Sequence, residues 1–345
     1  MSGQTLPSTA PRLVNLSELS QDWQWLREPF HDDIPDWHHV SALAMPRRWP
    51  LGGMREARWR ATAEARRLLA AHRGPNILVS HGPRPATYWG WLGGGRVDAH
   101  DVYSFNFTDL PTGIGRRSAA RAFRDVTRFV VSSTWERELY ADYFDIPISR
   151  ITFQHWGVKP PARTLDSPRP IDVPYVCALG SQARDYATLA EAMKRLPHLR
   201  LAIVATPASV QGIRMPDNVE MHVNIPYAKA MQLLQHSELM VLPMNDVQSR
   251  CGHVTAVSAL HMGVPIVSTD CRGLDDYLRQ GDTAVVSEQG HPDELAKAID
   301  GLVSDEARKT ALGQRGQAFA QAHCTEAAVI RGFRQSLVER GLLGA

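Results

Sequence analysis

The segment from Ser249 to Asp270 carries the residue pattern best suited to binding an anion. Its spacing predicts a loop, a helix that begins near Gly252, a stop at Gly263 and a short buried strand. A glycine at the start of a helix leaves backbone N–H groups open to a ligand, and the helix dipole favours negative charge there. The segment therefore predicts an anion site. A plain structural unit of any α/β protein is the alternative.

Two further polar side chains follow predicted strands in the first half of the chain. His81 comes directly after the strand 77–80, and Asp109 follows the strand 102–107. Open α/β sheets bind ligands at the carboxyl ends of their strands, so both side chains are candidates for contact with a ligand. For each of them, turn formation or helix capping is the alternative.

Strands and helices alternate along most of the chain, which predicts an α/β protein. The alternation runs from a helix at 54–73 to a strand at 151–153, and it restarts with the strand 175–179. The intervening residues 161–174 are rich in proline and lack apolar periodicity, as in a semi-rigid linker. We therefore expect two Rossmann-like domains.

The predicted domain boundaries follow from these elements. Residues 1–160 form a first domain, and its tryptophan-rich start, 1–50, has weak periodicity and is predicted to be irregular. After the linker at 161–174, residues 175–323 form the second domain. Residues 324–345 are expected to contain an amphipathic C-terminal helix.

The composition is that of an ordinary globular protein, with 345 residues, 43% of them hydrophobic and 21% charged. No apolar run approaches the roughly 20 residues of a membrane span. The four cysteines lack CxxC spacing and the 14 histidines lack H-E-x-x-H spacing, so the sequence indicates a cytoplasmic location and no metal centre. With a net charge of only +2 and no recognised module, nucleic acid is not an expected partner.

The anion-binding segment resembles the donor-site signature of GT-B glycosyltransferases, especially glycosyltransferase family 4 (glycosyl transferases group 1). The signature is Glu, seven residues, Glu, then Ala-Met-Ala-x-Gly-x-Pro-Val-Val. Its second half aligns with Ser258–Val267, and Gly252–Thr255 aligns with the Gly-x-x-Thr of many members. Arg250 and Ser258 stand at the two glutamate positions. The resemblance covers nearly all of 175–323 and implies a GT-B fold, in which two Rossmann-like domains face each other across a cleft and the last helix crosses back to the first domain.

The resemblance also implies which residues hold a nucleotide-diphosphate sugar. The loop Gly180–Tyr186 resembles the family loop in which a Lys or Arg grips the leaving diphosphate, so Arg184 is the leading candidate. The other implied donor contacts are Gly180, Ser181, Asn224, Ile225, Arg250, Gly252, His253, Val254, Thr255 and Ser258. No cofactor and no obligatory metal are expected, because cations and helix N-termini hold the diphosphate in this fold. For Arg184 and Arg250, an exposed loop arginine is the alternative.

The expected function is transfer of a sugar from a nucleotide-diphosphate sugar to a hydroxyl of a glycan, a lipid-linked intermediate or a small molecule, in polysaccharide or glycoconjugate biosynthesis. The resemblance favours retention of configuration, in which the donor phosphate accepts the proton. An inverting enzyme would need a base, for which Asp109 and His81 are the candidates. A non-catalytic GT-B partner or binding protein and a GT-B epimerase are the other interpretations.

The first half of the chain suits one further partner. All nine tryptophans lie between Trp23 and Trp156, and arginines are frequent in 47–73 and 116–128. A basic face rich in tryptophan would suit peripheral docking on the anionic inner face of a membrane, where lipid-linked acceptors lie. A solvated helix face is the alternative.

Overall fold

The computed structural model describes residues 10–20, 27–45, 53–161 and 168–344. The chain divides into two compact units, which we call unit 1 (Met1–Gln154 with Ile330–Ala345) and unit 2 (His155–Val329). Within the described ranges, none of the helices combines the length and the apolar character that a membrane span requires.

Unit 1 is built on a six-stranded parallel sheet. In chain order, its strands are β1 (Arg12–Ser17), β2 (Asp36–Ser41), β3 (Asn76–His81), β4 (Ala99–Tyr103), β5 (Arg128–Val131) and β6 (Ile151–Phe153). Their order across the sheet is β2-β1-β3-β4-β5-β6. The central strands β3 and β4 are almost entirely buried, as expected for parallel strands covered on both faces.

Helices follow most of these strands. In unit 1 they include α1 (Gly53–Ala70), α2 (Pro83–Trp91), α3 (Gly113–Ala122) and α4 (Thr134–Phe144). Ser133 caps α4, because its Oγ accepts a hydrogen bond from the Glu136 N–H at 3.1 Å. The buried ring of Phe105 lies at the centre of an aromatic core, 4.6 Å from the ring of Phe129 and 5.2 Å from that of Tyr140.

Two strands lie in the region 1–50 that the sequence predicts to be irregular. β1 pairs with both β2 and β3, and all its residues except the first are buried, including Asn15. A strand buried on both faces shows no alternation of polar and apolar residues, so periodicity alone does not reveal it. Trp23, Trp25 and Trp49 of this region lie outside the described residues.

The helix α2 follows β3 after a single residue. α2 begins at Pro83, directly after Gly82, which adopts a φ of +84°. Proline is favoured in the first turn of a helix, where its missing N–H would have no intrahelical partner. The sequence Pro83-Arg84-Pro85 therefore marks the start of a helix.

Unit 2 repeats the alternation on a second parallel sheet. Its strands are β7 (Tyr175–Leu179), β8 (Arg200–Ala205), β9 (Val219–Val223), β10 (Met240–Leu242), β11 (Ile266–Thr269) and β12 (Val285–Ser287). Their order across the sheet is β12-β11-β10-β7-β8-β9. Its helices include α5 (Tyr186–Lys194), α6 (Tyr227–Gln235), α7 (His253–Met262), α8 (Pro292–Val303) and α9 (Glu306–His323). The α/β fold class predicted from the sequence is confirmed.

The segment Ser249–Asp270 has the structure predicted from its sequence: a loop, a helix, a glycine at the end of the helix and a strand. α7 ends at Gly263, which adopts a left-handed conformation with a φ of +67°, and β11 follows. Close packing against α9 adds a second constraint nearby. A Cβ on Gly313 would lie 2.3 Å from the carbonyl oxygen of Gly263, so only glycine fits there.

The last helix, α10 (Glu326–Glu339), begins in unit 2 and ends in unit 1. Residues 155–160 belong to unit 2, whereas the sequence placed them in the first domain. The reason is local bonding: the Trp156 N–H donates to the Tyr277 hydroxyl at 2.7 Å, before the proline-rich stretch begins. Residues 162–167 of the predicted linker lie outside the described residues.

Candidate functional site

The order in which the strands of unit 2 follow one another across the sheet reverses between β7 and β10, although all the strands are parallel. From β7 the chain continues to β8 and β9 on one side, and it then crosses to β10, β11 and β12 on the other. The loops after the two central strands diverge at such a point and leave a crevice where open α/β sheets bind ligands. The loop after β7 contains Gly180 and Arg184, and the loop after β10 leads to Gly252.

Arg184 is a buried cation at this crevice, with 9% of its surface exposed. Its Nε donates to the Leu179 carbonyl at 3.2 Å, and one terminal nitrogen donates to the Gln182 carbonyl at 2.8 Å. The other terminal nitrogen lies 3.4 Å from the Thr255 hydroxyl of α7. Burial lowers the pKa of Arg184, and its hydrogen bonds among the described residues go to carbonyl, thioether and hydroxyl groups and to no carboxylate. The guanidinium is thus held in place by neutral groups, an arrangement that favours an anionic ligand.

Gly180 allows the guanidinium to lie against the backbone. It adopts a φ of +107°, and a Cβ at this position would lie 2.7 Å from a terminal nitrogen of Arg184. The carbonyl of Gly180 also accepts a hydrogen bond from the Tyr186 hydroxyl at 2.5 Å. A larger residue here would both strain the backbone and displace the arginine.

The N-terminus of α7 faces the same crevice. Gly252 precedes it with a φ of +105°, and no side chain caps the helix. The imidazole of His253 points inward, where its Nε2 donates to the Gly273 carbonyl at 2.8 Å. Burial lowers the pKa of His253 to about 4, so the ring is neutral near pH 7. A ligand would therefore meet the backbone of His253 and not its side chain.

A cavity of about 320 Å³ joins most of the donor residues predicted from the sequence. Those that line it are Gly180, Ser181, Asn224, Ile225, Val254, Thr255 and Ser258. Arg184 lies beside it through its contacts with Gly180 and Thr255. Among the described residues, no group of three or more His, Cys, Asp or Glu side chains is placed to hold a metal ion.

The residues at the two glutamate positions differ in their surroundings. Ser258 is buried, and its hydroxyl donates to the Val254 carbonyl one helical turn earlier at 2.8 Å. Its oxygen can still accept a hydrogen bond from a ligand. Arg250 is partly exposed on the loop before α7 and lies outside the cavity wall. The structure therefore brings Ser258 to the cavity but not Arg250.

Sequence reasoning missed one aromatic residue of this cavity. Tyr227, the first residue of α6, is 62% exposed and lines the cavity with Asn224 and Ile225. Asn224 adopts a φ of +53° at the end of β9, which turns the chain toward α6. One signal could have identified Tyr227. It is an aromatic residue that directly follows a proline, at the start of the helix after an edge strand.

Unit 1 contains a larger cavity, of about 590 Å³, at the carboxyl end of its own sheet. Both predicted base candidates, His81 and Asp109, line it. His81 stacks on Tyr103 with 6.0 Å between ring centroids, and burial lowers the pKa of His81 to about 3. The histidine is therefore neutral and a weak base near pH 7. Asp109 is exposed to solvent.

A buried carboxyl group beside this cavity was not among the site residues predicted from the sequence. Glu136 in α4 has no exposed surface, and burial raises its pKa to about 7. It accepts hydrogen bonds from Asn106 Nδ2 at 2.7 Å and from the Tyr140 hydroxyl at 3.0 Å. Asn106 lines the cavity, so Glu136 orients a cavity residue from behind.

We expect Glu136→Gln to change how stability depends on pH. Between the unfolded pKa of 4.5 and the folded pKa of about 7, the folded state holds a proton that the unfolded state has lost. Raising the pH through this window should therefore destabilise the wild type by on the order of 3 kcal/mol relative to the variant. Urea unfolding of both proteins at pH 4.5 and pH 8 measures the difference. Parallel pH profiles would contradict the prediction.

Two six-stranded parallel sheets, each with its own helices, form the fold of the GT-B class of glycosyltransferases. Residues 171–305 match the family model described as Glycosyl transferases group 1. The match lies within unit 2 and includes the segment Ser249–Asp270, and it confirms the resemblance predicted from the sequence.

Solved structures share the fold, and one curated relative matches part of the chain. Sucrose-phosphate synthase from Thermosynechococcus elongatus superimposes with a TM-score of 0.73 at 15% identity, covering 95% of this chain and 98% of that one. Anabaena HepE in complex with UDP-glucose gives a TM-score of 0.73 at 11% identity, covering 95% and 99%. The lipopolysaccharide core biosynthesis glycosyltransferase LpsE of Rhizobium meliloti (strain 1021) is 23% identical over 211 residues. That match spans 60% of this chain and 59% of the length of LpsE.

Proposed function

We propose that this protein transfers a sugar from a nucleoside-diphosphate sugar to a hydroxyl group of a glycan-type acceptor in polysaccharide or glycoconjugate biosynthesis. The observation that carries the proposal is the buried guanidinium of Arg184, held without a carboxylate partner among the described residues. It lies at the strand reversal, next to the uncapped N-terminus of α7. Two similar proteins support sugar transfer from a nucleotide donor: HepE was solved in complex with UDP-glucose, and LpsE is named as a glycosyltransferase.

Different residues of unit 2 bind the different parts of the donor. Arg184, Thr255 and the first amides of α7 bind the diphosphate, and they stabilise the charge that grows on it as the sugar leaves. Tyr227 stacks on the base next to the backbone of Asn224 and Ile225. Ser181, Val254 and Ser258 complete the wall around the ribose and phosphates, whereas Arg250 lies outside this wall. No obligatory metal is part of the proposal, because the arginine and the helix N-terminus supply the positive charge.

We place the acceptor in the cavity of unit 1 and propose retention of configuration. In retaining chemistry the donor phosphate accepts the proton of the acceptor hydroxyl, so the cavity needs no side-chain base. His81, with a pKa of about 3, is unsuited to accept that proton near pH 7. All four cysteines are free, which supports a reducing cytoplasm as the proposed location.

A donor screen tests the function as a whole. We expect at least one nucleoside diphosphate, with UDP as the first probe, to raise the melting temperature, because a ligand at 100 times its Kd stabilises by about 2.7 kcal/mol. The matching nucleotide sugar should release nucleoside diphosphate in the presence of an acceptor extract, as read by intact-mass detection. Stabilisation without any release would favour a non-catalytic binding protein. No stabilisation by any nucleoside diphosphate would contradict both.

Inverting chemistry with Asp109 as the base is the competing mechanism, because Asp109 lines the cavity of unit 1. Under the retaining proposal we expect Asp109→Asn to keep transfer within a few-fold of the wild type and to leave UDP binding unchanged. A loss of about 10²- to 10⁴-fold in transfer, with UDP binding intact, would instead identify Asp109 as a general base. The anomeric configuration of the product, read by NMR, provides the independent check.

A further inference from the structure

Three packed aromatic side chains, two of them exposed to solvent, lie at the rim of the unit 1 cavity. The ring of Trp59 in α1 lies 4.9 Å from that of Tyr88 and 6.2 Å from that of Trp91, both in α2. The rings of Tyr88 and Trp91 lie 5.3 Å apart. Trp59 is 40% exposed and Trp91 is 48% exposed. We call these three residues the aromatic surface.

The aromatic surface is held in place by neighbouring side chains. The indole N–H of Trp91 donates to the Ser118 hydroxyl of α3 at 2.8 Å. Tyr88 is buried beneath the two indoles, and the guanidinium of Arg58 lies 5.9 Å from its ring. Because contacts already orient the rings, a ligand that stacks on them pays little conformational entropy.

The chemistry around the aromatic surface is that of a carbohydrate site. Tyr88 and Trp91 line the cavity together with Asp109 and with the ion pair of Glu18 and Arg58. That ion pair is bidentate, with N–O distances of 2.6 and 2.9 Å. A pyranose ring presents apolar C–H groups on its face and hydroxyls on its edge, so it matches flat π-faces flanked by carboxylates and a guanidinium.

The charges of α1 do not favour an anionic membrane as the occupant. Three of its five arginines pair with glutamates: Arg58 with Glu18, Arg60 with Glu56 and Arg67 with Glu64. Membrane-surface helices instead present unpaired basic residues beside their aromatic face. The cavity is lined by two carboxylates, Glu18 and Asp109, and two arginines, Arg58 and Arg84, so its formal charges balance and favour an uncharged, hydroxyl-rich ligand.

We propose that the aromatic surface binds a sugar ring of the acceptor, which makes the acceptor a glycan and not a lone lipid or a small aglycone. The proposal rests on the proposed function, since it names the substrate class of the unit 1 cavity. One sugar ring stacks on the exposed indoles of Trp91 and Trp59. Hydroxyls of the neighbouring residue of the glycan then reach the polar groups of the cavity.

Binding of the full chain to a printed array of bacterial core and capsular oligosaccharides tests this proposal. We expect the wild type to be retained by at least one glycan class, and the Trp59→Ala/Trp91→Ala double variant to bind that glycan at least tenfold more weakly. Leu43→Ala, which removes an exposed apolar side chain of unit 1 outside the cavity, should bind like the wild type.

Two further measurements separate the possible failures. UDP binding should be unchanged in the double variant, whereas Arg184→Ala should lose UDP binding and keep glycan binding. If the double variant keeps full glycan binding, or if no glycan retains the wild type, the aromatic surface is not an acceptor site. Sedimentation with phosphatidylglycerol vesicles that is lost in the double variant would assign the surface to a membrane and overturn the proposal. If Arg184→Ala binds both UDP and the glycan like the wild type, the proposed donor site is wrong and the acceptor proposal is unaffected.

Discussion

Replacing Arg184 with alanine should weaken UDP binding by roughly 10- to 150-fold, since hydrogen bonds to charged groups contribute about 1.5–3 kcal/mol each. The guanidinium lies between the loop after β7 and the first turn of α7, where a diphosphate would contact both. The rate of sugar transfer should fall further, by about 10²- to 10³-fold, because the same charge stabilises the leaving diphosphate. Isothermal titration with UDP and a transfer assay measure the two effects.

The stability of the nucleotide-free variant separates a binding role from a structural one. Arg184 is a buried charge without a carboxylate partner among the described residues, and burial disfavours it, as its lowered pKa shows. Alanine removes that desolvation cost together with the hydrogen bonds to the Leu179 and Gln182 carbonyls. We therefore expect the free energy of unfolding to change by about 1 kcal/mol or less. A large loss of stability with normal UDP binding would mean that Arg184 serves the fold and not a ligand.

Two matched variants sharpen this experiment. Arg184→Lys keeps the charge but cannot reach Leu179, Gln182 and Thr255 at once, so we expect intermediate UDP affinity. Arg195→Ala removes an exposed arginine of the same unit, which pairs with Asp293 at the surface. It should bind UDP like the wild type. Equal losses in Arg184→Ala and Arg195→Ala would point to general electrostatics in place of a defined diphosphate site.

The anion site could be predicted because its signals are local. Gly252 and Gly263 bracket α7 with left-handed φ values, and both conformations follow from helix-terminus rules that span a few residues. Gly180 and Arg184 lie five residues or fewer from the end of a buried strand. The donor roles of these residues stay predictions until a nucleotide is bound.

The rest of unit 1 depended on contacts between distant parts of the chain. β1 is identified by its two neighbours in the sheet, not by its own pattern. The pKa of Glu136 is raised by burial, which no spacing along the chain reveals. Trp59 is separated from Trp91 by a strand and a helix, so their shared surface exists only once α1 and α2 pack together.

Replacement of Asp101 should strongly destabilise unit 1. Asp101 is completely buried in β4 and accepts hydrogen bonds from two arginines. Arg128 of β5 donates to it at 2.9 and 3.2 Å, and Arg340 binds both carboxylate oxygens at 2.9 Å. The carboxylate therefore joins the C-terminal residues to the centre of the sheet, although Asp101 and Arg340 are far apart in sequence.

We expect Asp101→Asn to lower the free energy of unfolding by about 3–5 kcal/mol, because it leaves two guanidinium groups close together without a counter-charge. Arg340→Ala should cost less, since Asp101 keeps its bonds to Arg128. Asp32→Asn, at a fully exposed site, should stay within about 0.5 kcal/mol of the wild type in urea unfolding. Equal stability of Asp101→Asn and Asp32→Asn would show that the two arginines find other partners. Asp101→Asn should cost more stability than Arg340→Ala. Removing the shared carboxylate leaves two arginines without their counter-charge, whereas removing one arginine leaves an ion pair in place.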